Sequence, residues 1–369
     1  MDILLAVGGL AGSQVKAVLI SLCAAFVLVL WAIGWSEQNP EWANYQREFL
    51  TLAPARAQSK APADWYRAQG VEIRQISIAP LKRVDRCTTC HLAVTDPNFA
   101  DTPEPFRAHS AMIASHPPER FGCTICHRGE GRAVTTLAAH GQTPGSTSRM
   151  LRGDYLEAAC YACHTEASLS SSATREIAAG IQTINQLSCL RCHQLNGEGE
   201  SEGPDLSAIG NRRDAIELYA HLLNPTAATP GSTMPIFALT RSQAQAITIF
   251  LLTQQGGAAI NDTRYRSTKE TQESITLSSS SPVSASVLFF QYDGSQLFWS
   301  AGCGVCHRIG NEGGGVGPAL THIARARDRD WLRRLLRDPA DVRPGGQMPQ
   351  LYLNDREIDA LVEFLLTLR

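Results

Sequence analysis

Five short segments with one shared pattern organise this chain of 369 residues. Each is a Cys-x-x-Cys-His pentapeptide, and we number them motifs 1 to 5 in chain order. They occupy residues 87–91, 123–127, 160–164, 189–193 and 303–307. This pattern is typical of covalent haem attachment, in which two thiols add to the haem vinyl groups and the next histidine binds the iron. The sequence therefore predicts five covalently attached haem c groups.

The motifs use ten of the eleven cysteines. The predicted attachment residues are Cys87, Cys90, Cys123, Cys126, Cys160, Cys163, Cys189, Cys192, Cys303 and Cys306, and the predicted proximal iron ligands are His91, His127, His164, His193 and His307. A zinc site needs two cysteine pairs that converge on one ion, with no histidine required after each pair. A thioredoxin-like motif would occur once, beside a βαβ pattern. The remaining Cys23 lies in an apolar run, where we expect inert packing.

Residues 181–256 and 288–369 form an internal repeat. A constant shift of 114 residues, the separation of Cys189 and Cys303, aligns them without a gap. The same shift relates Gly203-Pro204 to Gly317-Pro318, Met234-Pro235 to Met348-Pro349, and Phe250 to Phe364. Matches at several positions under one shift indicate two copies of one domain.

The N-terminal residues 1–36 read as a membrane anchor. Residues 15–35 are apolar apart from Lys16, and a run of this length can span a bilayer as a helix. A cleaved signal peptide is the rival interpretation, but no small-x-small site follows the run directly. Residues 37–86 form a spacer, in which the aromatic residues of 41–52 have helical spacing and are expected to pack on a partner or on the haem-bearing part.

Residues 87–180 hold three motifs and few long apolar segments, which predicts short helices and long loops around the haems. Residues 257–287 are polar and serine-rich, which indicates a linker that lets the last domain move. The predicted fold is therefore mainly α: an N-terminal transmembrane helix, a loop-rich trihaem module and two tandem copies of one domain.

Each repeat copy resembles a class I cytochrome c domain, with a haem motif, a Gly-Pro loop, a Met-Pro pair and a C-terminal amphipathic helix, here predicted over 242–253 and 354–368. The resemblance implies that Met234 and Met348 are the second axial ligands of motifs 4 and 5. A thioether ligand favours ferrous iron and raises the reduction potential.

The segment 87–180 resembles the small trihaem modules of multihaem cytochromes, in which both axial ligands are histidine. Five irons have ten axial positions, and the motif histidines with Met234 and Met348 fill seven. The resemblance implies that the other three ligands are His109, His116 and His140, with Met112 or Met150 as alternatives. His221 and His322 match no repeated feature and are expected to be structural or surface residues.

Iron with six ligands has no position open to substrate, so this set favours electron transfer over nitrite, hydroxylamine or peroxide chemistry. A net charge of −2 gives no indication of nucleic-acid binding. Because c-type haem is attached outside the cytoplasm, we expect a single-pass protein of the bacterial inner membrane with its haems in the periplasm.

Three functions fit this organisation. The first is the cytochrome c subunit of a respiratory or photosynthetic quinol:cytochrome c oxidoreductase, with cytochrome b and iron–sulfur subunits as partners and a soluble cytochrome or terminal oxidase as acceptor. The second is a stand-alone multihaem quinol dehydrogenase, and the third is a haem peroxidase. For the first function, we expect electrons to enter at the trihaem module and to pass through motif 4 to motif 5.

Overall fold

The computed structural model describes residues 12–57, 60–143, 146, 148–164, 173–256 and 293–369. These residues are mainly helical, as predicted, with short antiparallel hairpins between the helices. The predicted linker 257–287 and the first eleven residues of the predicted anchor lie outside the described residues.

Helices of very different length make up the successive parts of the chain. The helices are α1 Gly12–Gln38, α2 Glu41–Arg56, α3 Lys60–Arg67, α4 Pro118–Phe121, α5 Thr124–His127, α6 Thr136–Ala139, α7 Glu157–Cys160, α8 Ala173–Gln186, α9 Ala215–Leu223, α10 Pro225–Ala228, α11 Arg241–Thr253, α12 Gly294–Ser300, α13 Cys303–Cys306, α14 Ile323–Ala326, α15 Arg329–Arg337, α16 Pro339–Val342 and α17 Asp355–Thr367. The strands are β1 Ile76–Ile78, β2 Arg83–Asp85, β3 Gln194–Leu195, β4 Glu198–Gly199, β5 Arg308–Ile309 and β6 Glu312–Gly313. They pair as β1–β2, β3–β4 and β5–β6.

The apolar run 15–35 of the predicted anchor falls within α1, whose large apolar side chains are exposed from Val18 to Trp31. In the part of the chain that the structure describes, no helix is both long and apolar enough to cross a membrane. The predicted transmembrane span is therefore not supported by the structure.

The aromatic residues of the spacer pack on the segment that holds motif 1. Tyr45 and Phe49 of α2 are buried, and the ring of Phe49 lies 5.1 Å from that of Phe99 and 5.7 Å from that of Phe106, measured between centroids. Offset and tilted aromatic contacts of this kind stabilise a small core. The spacer therefore forms part of the trihaem module's core, and it also contributes strand β1 over Ile76–Ile78.

The first and last helices cross at close range in each of the two repeat domains. A Cβ atom on Gly180 of α8 would lie 2.4 Å from the Ala246 carbonyl oxygen, and one on Gly294 of α12 would lie 2.0 Å from that of Ala360. Glycine is thus required at both positions, because the first helix of each domain lies directly against the backbone of the last. Gly180 lies inside α8, so the predicted boundary between residues 180 and 181 falls within a helix.

The last domain packs against both other parts of the chain. Tyr219 of the first repeat domain donates a hydrogen bond of 3.0 Å to the Gln347 carbonyl, and Gln347 Nε2 donates one of 3.2 Å to the Leu239 carbonyl. Arg149 donates to the Ser300 carbonyl and, at 2.7 Å, to Asp214 Oδ2. Arg149 therefore joins the trihaem module, the first repeat domain and the last domain.

Candidate haem-binding sites

Each histidine of motifs 1 to 3 faces one of the three predicted distal histidines. The ring centroids of His91 and His140 lie 6.3 Å apart, those of His127 and His109 6.1 Å, and those of His164 and His116 6.0 Å. The structure thus brings together all six histidines in three pairs, each with one motif member and one member from elsewhere in the module.

These separations match two imidazoles on opposite faces of one metal ion. A metal–imidazole bond is about 2.0 Å and the ring centroid lies about 1.1 Å further on, so two such rings have centroids about 6.2 Å apart. Each pair therefore leaves the space that one iron needs. The residues present fit a haem with two histidine ligands at each of motifs 1 to 3.

Burial favours the neutral state, which is the state that binds a metal, in three of these imidazoles. It lowers the pKa of His91 and His127, and it lowers the pKa of His140 well below its ordinary value. In the last domain, burial also lowers the pKa of His307.

The three pairs interleave along the chain. Motif 1 takes its partner, His140, from the segment between motifs 2 and 3, whereas motifs 2 and 3 take His109 and His116 from the segment between motifs 1 and 2. The attachment cysteines of motif 2 also lie close to those of motifs 1 and 3. Contact with Cys123 lowers the pKa of the Cys87 thiol, and burial, with the neighbouring Cys160 and Cys163, raises that of Cys126 to about 11. We give each haem-binding site the number of its motif. Site 2 therefore lies between sites 1 and 3.

Asp85 at the end of β2 fixes motif 2. Its carboxylate is fully buried, accepts hydrogen bonds from the Cys123 and Thr124 amides at 2.5 and 3.0 Å, and accepts the Thr124 hydroxyl at 2.7 Å. A Cβ on Gly122 or Gly131 would come within 2.2 Å of this carboxylate. An acidic side chain that accepts the first amides of a helix is a strong cap, so β2 positions α5.

The two repeat domains orient their motif histidines by the same hydrogen bond. His193 Nδ1 donates to the Pro204 carbonyl at 2.9 Å, and His307 Nδ1 donates to the Pro318 carbonyl at 2.8 Å. A hydrogen bond from one ring nitrogen to a carbonyl leaves the other nitrogen free for a metal. The Gly-Pro pair of the repeat therefore orients the ligand ring.

The glycine of each Gly-Pro pair is required because a side chain at this position would clash with the histidine ring. A Cβ on Gly203 would lie 2.7 Å from the His193 ring, and one on Gly317 would lie 2.6 Å from the His307 ring. Both distances are shorter than non-bonded carbon contacts allow.

The two predicted methionine ligands lie in loops before the last helix of each domain. Met234 and Met348 are half-buried and pack on the core of their own domain. The Gly346 and Gln347 carbonyls, just before Met348, accept from Arg241 and Tyr219, and Gln347 donates to Leu239. The methionine loop of the last domain is thus bonded to the first repeat domain.

Of the other sulfur-containing residues, Met150 lines the same cavity as His140 and donates its amide to the His140 carbonyl at 2.9 Å. Cys23 is exposed on α1, and Met112 is exposed in the trihaem module. His221 Nδ1 lies 3.0 Å from the Thr229 hydroxyl, and His322 Nδ1 donates to the Arg369 carbonyl at 2.8 Å.

Sequence reasoning missed several residues that organise these sites: Asp85, Arg149, Arg152, Tyr219 and Glu357. Two of them carry a signal in the repeat, because the shift of 114 residues aligns Tyr219 with Arg333 and Gln243 with Glu357. Positions where two copies of a domain differ are candidates for contacts that only one copy makes.

A protein-family model described as cytochrome c matches residues 177–255 and, a second time, residues 292–369. A search of curated proteins found no match to the chain. The two matched segments are cytochrome c domains. These domains imply covalently bound haem c and electron transfer.

Proposed function

We propose that the protein is a pentahaem electron-transfer cytochrome, with one haem c at each of its five motifs. The observation that carries this proposal is the pairing of three motif histidines with three other histidines at centroid separations of 6.0–6.3 Å. Haem supplies one-electron chemistry when it is bound, and the protein sets its ligands, its exposure and its neighbours.

The ligand set determines what the chain can do. At sites 1 to 3, the paired histidines would hold the iron of a haem and would occupy the positions that a substrate needs, which suits these sites to electron transfer. At sites 4 and 5, the proposed ligands are His193 with Met234 and His307 with Met348, and the thioether gives these sites the higher reduction potentials. The chain therefore combines a low-potential group of three sites with a high-potential pair.

We further propose a place in a membrane quinol-oxidising complex, as its cytochrome c subunit in the periplasm, with cytochrome b and iron–sulfur partners. Support comes from α1, whose side chains Ile20 and Phe26 are 70% and 63% exposed, as expected of a helix that a lipid or protein partner covers. The trihaem module would receive electrons, and the last domain would pass them to a soluble cytochrome or terminal oxidase.

The haem stoichiometry tests the electron-transfer proposal. The purified chain is expected to give five covalent haems per polypeptide and a low-spin spectrum that carbon monoxide leaves unchanged in the reduced protein. Fewer haems, or a high-spin component in the intact protein, would contradict it.

Affinity purification from gently solubilised membranes tests the complex. Recovery of cytochrome b, with loss of quinol-dependent haem reduction when it is stripped away, supports the subunit role. Reduction of the isolated chain by quinol would instead make it a dehydrogenase by itself. A variant with Ile20→Ser and Phe26→Ser should fall into the soluble fraction with all its haems.

A further inference from the structure

One buried ion pair connects the trihaem module to the last domain. Arg152 Nη1 donates to Glu357 Oε2 at 2.8 Å, and Nη2 donates to Oε1 at 3.0 Å. The Glu357 side chain is 2% exposed and that of Arg152 is 19% exposed. The Asn354 amide also donates to Glu357 Oε2, at 2.9 Å, which holds the carboxylate at the start of α17. Both charges are thus fixed in a bidentate arrangement.

Arg152 lies beside the ligands of sites 1 and 2. The preceding residue, Leu151, donates its amide to the His127 carbonyl at 2.6 Å, and its own carbonyl lies 3.4 Å from His127 Nδ1. Arg152 and His140 line the same cavity of about 60 Å³, which residues of all three domains enclose. The Arg152 guanidinium therefore places a positive charge near His140 of site 1 and near His127 of site 2.

The electrostatics of the ligands agree with this position. The charge of Arg152 lies close enough to interact electrostatically with His91, His127 and His140. Glu104, whose Oε2 lies 3.8 Å from His91 Nδ1, interacts with both Arg152 and Glu357. Arg152 and Glu357 therefore lie in the same group of charges as Glu104, close to ligands of sites 1 and 2.

Resting on the proposed five-haem function, we propose that Arg152 and Glu357 set the reduction potentials of sites 1 and 2, and that the docked last domain supplies the neutralising charge. Addition of an electron lowers the charge of a site by one unit. A nearby cation therefore favours the reduced form, and a carboxylate that neutralises this cation favours the oxidised form. Arg152 and Glu357 are positioning residues for this effect, since neither occupies an iron ligand position.

Opposite substitutions separate this effect from simple undocking. Glu357→Gln removes the carboxylate that binds Arg152 in a bidentate pair, so the midpoint potential of site 1 or 2 should rise. Arg152→Gln leaves the buried carboxylate alone, so the same potential should fall. A unit charge about 10 Å from an iron, at an effective dielectric constant of about 20, changes the reduced-to-oxidised ratio roughly tenfold, which corresponds to about 59 mV for one electron.

The measurement is a spectroelectrochemical titration of the full holoprotein and its variants. The double variant, with both glutamines, should return close to the wild-type potential. The matched control is Glu363→Gln, which removes a carboxylate of the same helix that pairs with Arg329 at an exposed position and should shift neither site.

Shifts of the same sign in both single variants would show that only docking matters and would overturn the inference, as would the absence of any shift. Failure of the proposed function looks different. In that case the wild-type protein itself would hold fewer than five haems or would lack low-potential components.

Discussion

His91 and His140 lie 49 residues apart in the sequence, on either side of motif 2, yet their ring centroids lie 6.3 Å apart. Two further pairs repeat this relationship at 6.1 and 6.0 Å. Because each partner comes from another stretch of the chain, binding at one site constrains the segments that form the next. We therefore expect the three sites to assemble as one unit.

Removal of one distal histidine should open one site and leave the others closed. His116→Gly is expected to convert site 3 from low spin to high spin, because the iron loses one of its two ligands. Five haems should remain attached, since Cys160 and Cys163 are unchanged, and added imidazole should restore the low-spin signal in electron paramagnetic resonance. His322→Gln is the matched control, and a fully low-spin His116→Gly protein would contradict the pairing.

Gly317→Ala should disturb site 5 because its Cβ would lie 2.6 Å from the His307 ring. The ring must move or the loop must shift, at a cost of about 1–3 kcal/mol of unfolding free energy. Thermal unfolding and the visible spectrum of the last haem measure the effect. At Gly315, a Cβ would meet nothing within 4 Å, so Gly315→Ala should behave like the wild type. Equal destabilisation by both changes would argue against this role for the Gly-Pro pair.

Met348→His should lower the reduction potential of site 5. Replacing a thioether by an imidazole favours ferric iron, and a shift on the order of 0.1 V lies well within the roughly 0.8 V that axial ligands span. A redox titration measures the reduction potential of site 5. The far-red absorption band of methionine-bound ferric haem is a second readout. The exposed Met112, replaced by Leu, provides the control. An unchanged potential in Met348→His would show that another group binds the iron.

Glu157 should make stability fall as pH rises. Burial, with the nearby Glu176 and Asp154, raises the pKa of Glu157 from 4.5 to about 7. The folded chain thus holds this proton more tightly than the unfolded chain. Its contribution to stability is complete below pH 4.5 and is lost as pH rises through 7. Since the side chain is half-buried, Glu157→Gln should add about 1 kcal/mol at pH 8, after allowance for screening.

Chemical denaturation of both proteins between pH 4 and pH 8 checks the sign. The two unfolding free energies should agree near pH 4 and separate above pH 6. The exposed Glu200, replaced by Gln, should not change the curve. A Glu157→Gln protein that is less stable at pH 8 would contradict the prediction.

The sequence predicted the repeat domains well because their contacts recur at one fixed shift. The helices predicted over 242–253 and 354–368 are found as Arg241–Thr253 and Asp355–Thr367. The Gly-Pro pairs that orient His193 and His307 were already visible as repeated residues. Local periodicity and repetition determine these features, so one sequence suffices to find them.

The contacts between domains could not be predicted in the same way. Arg152 and Glu357 are separated by most of the two repeat domains, and neither belongs to a motif. The pairing of His127 with His109 rather than His116 depends likewise on how loops of the trihaem module cross. Such long-range contacts depend on packing between segments, which local pattern does not encode.

The most direct test of the central claim is the mass of the intact, denatured polypeptide. Thioether bonds survive denaturation, so every haem at a complete motif stays with the chain. The account predicts a chain that carries five haems, and a variant with Cys160→Ser and Cys163→Ser that carries four. A wild-type chain with two haems, on the repeat domains alone, would contradict it.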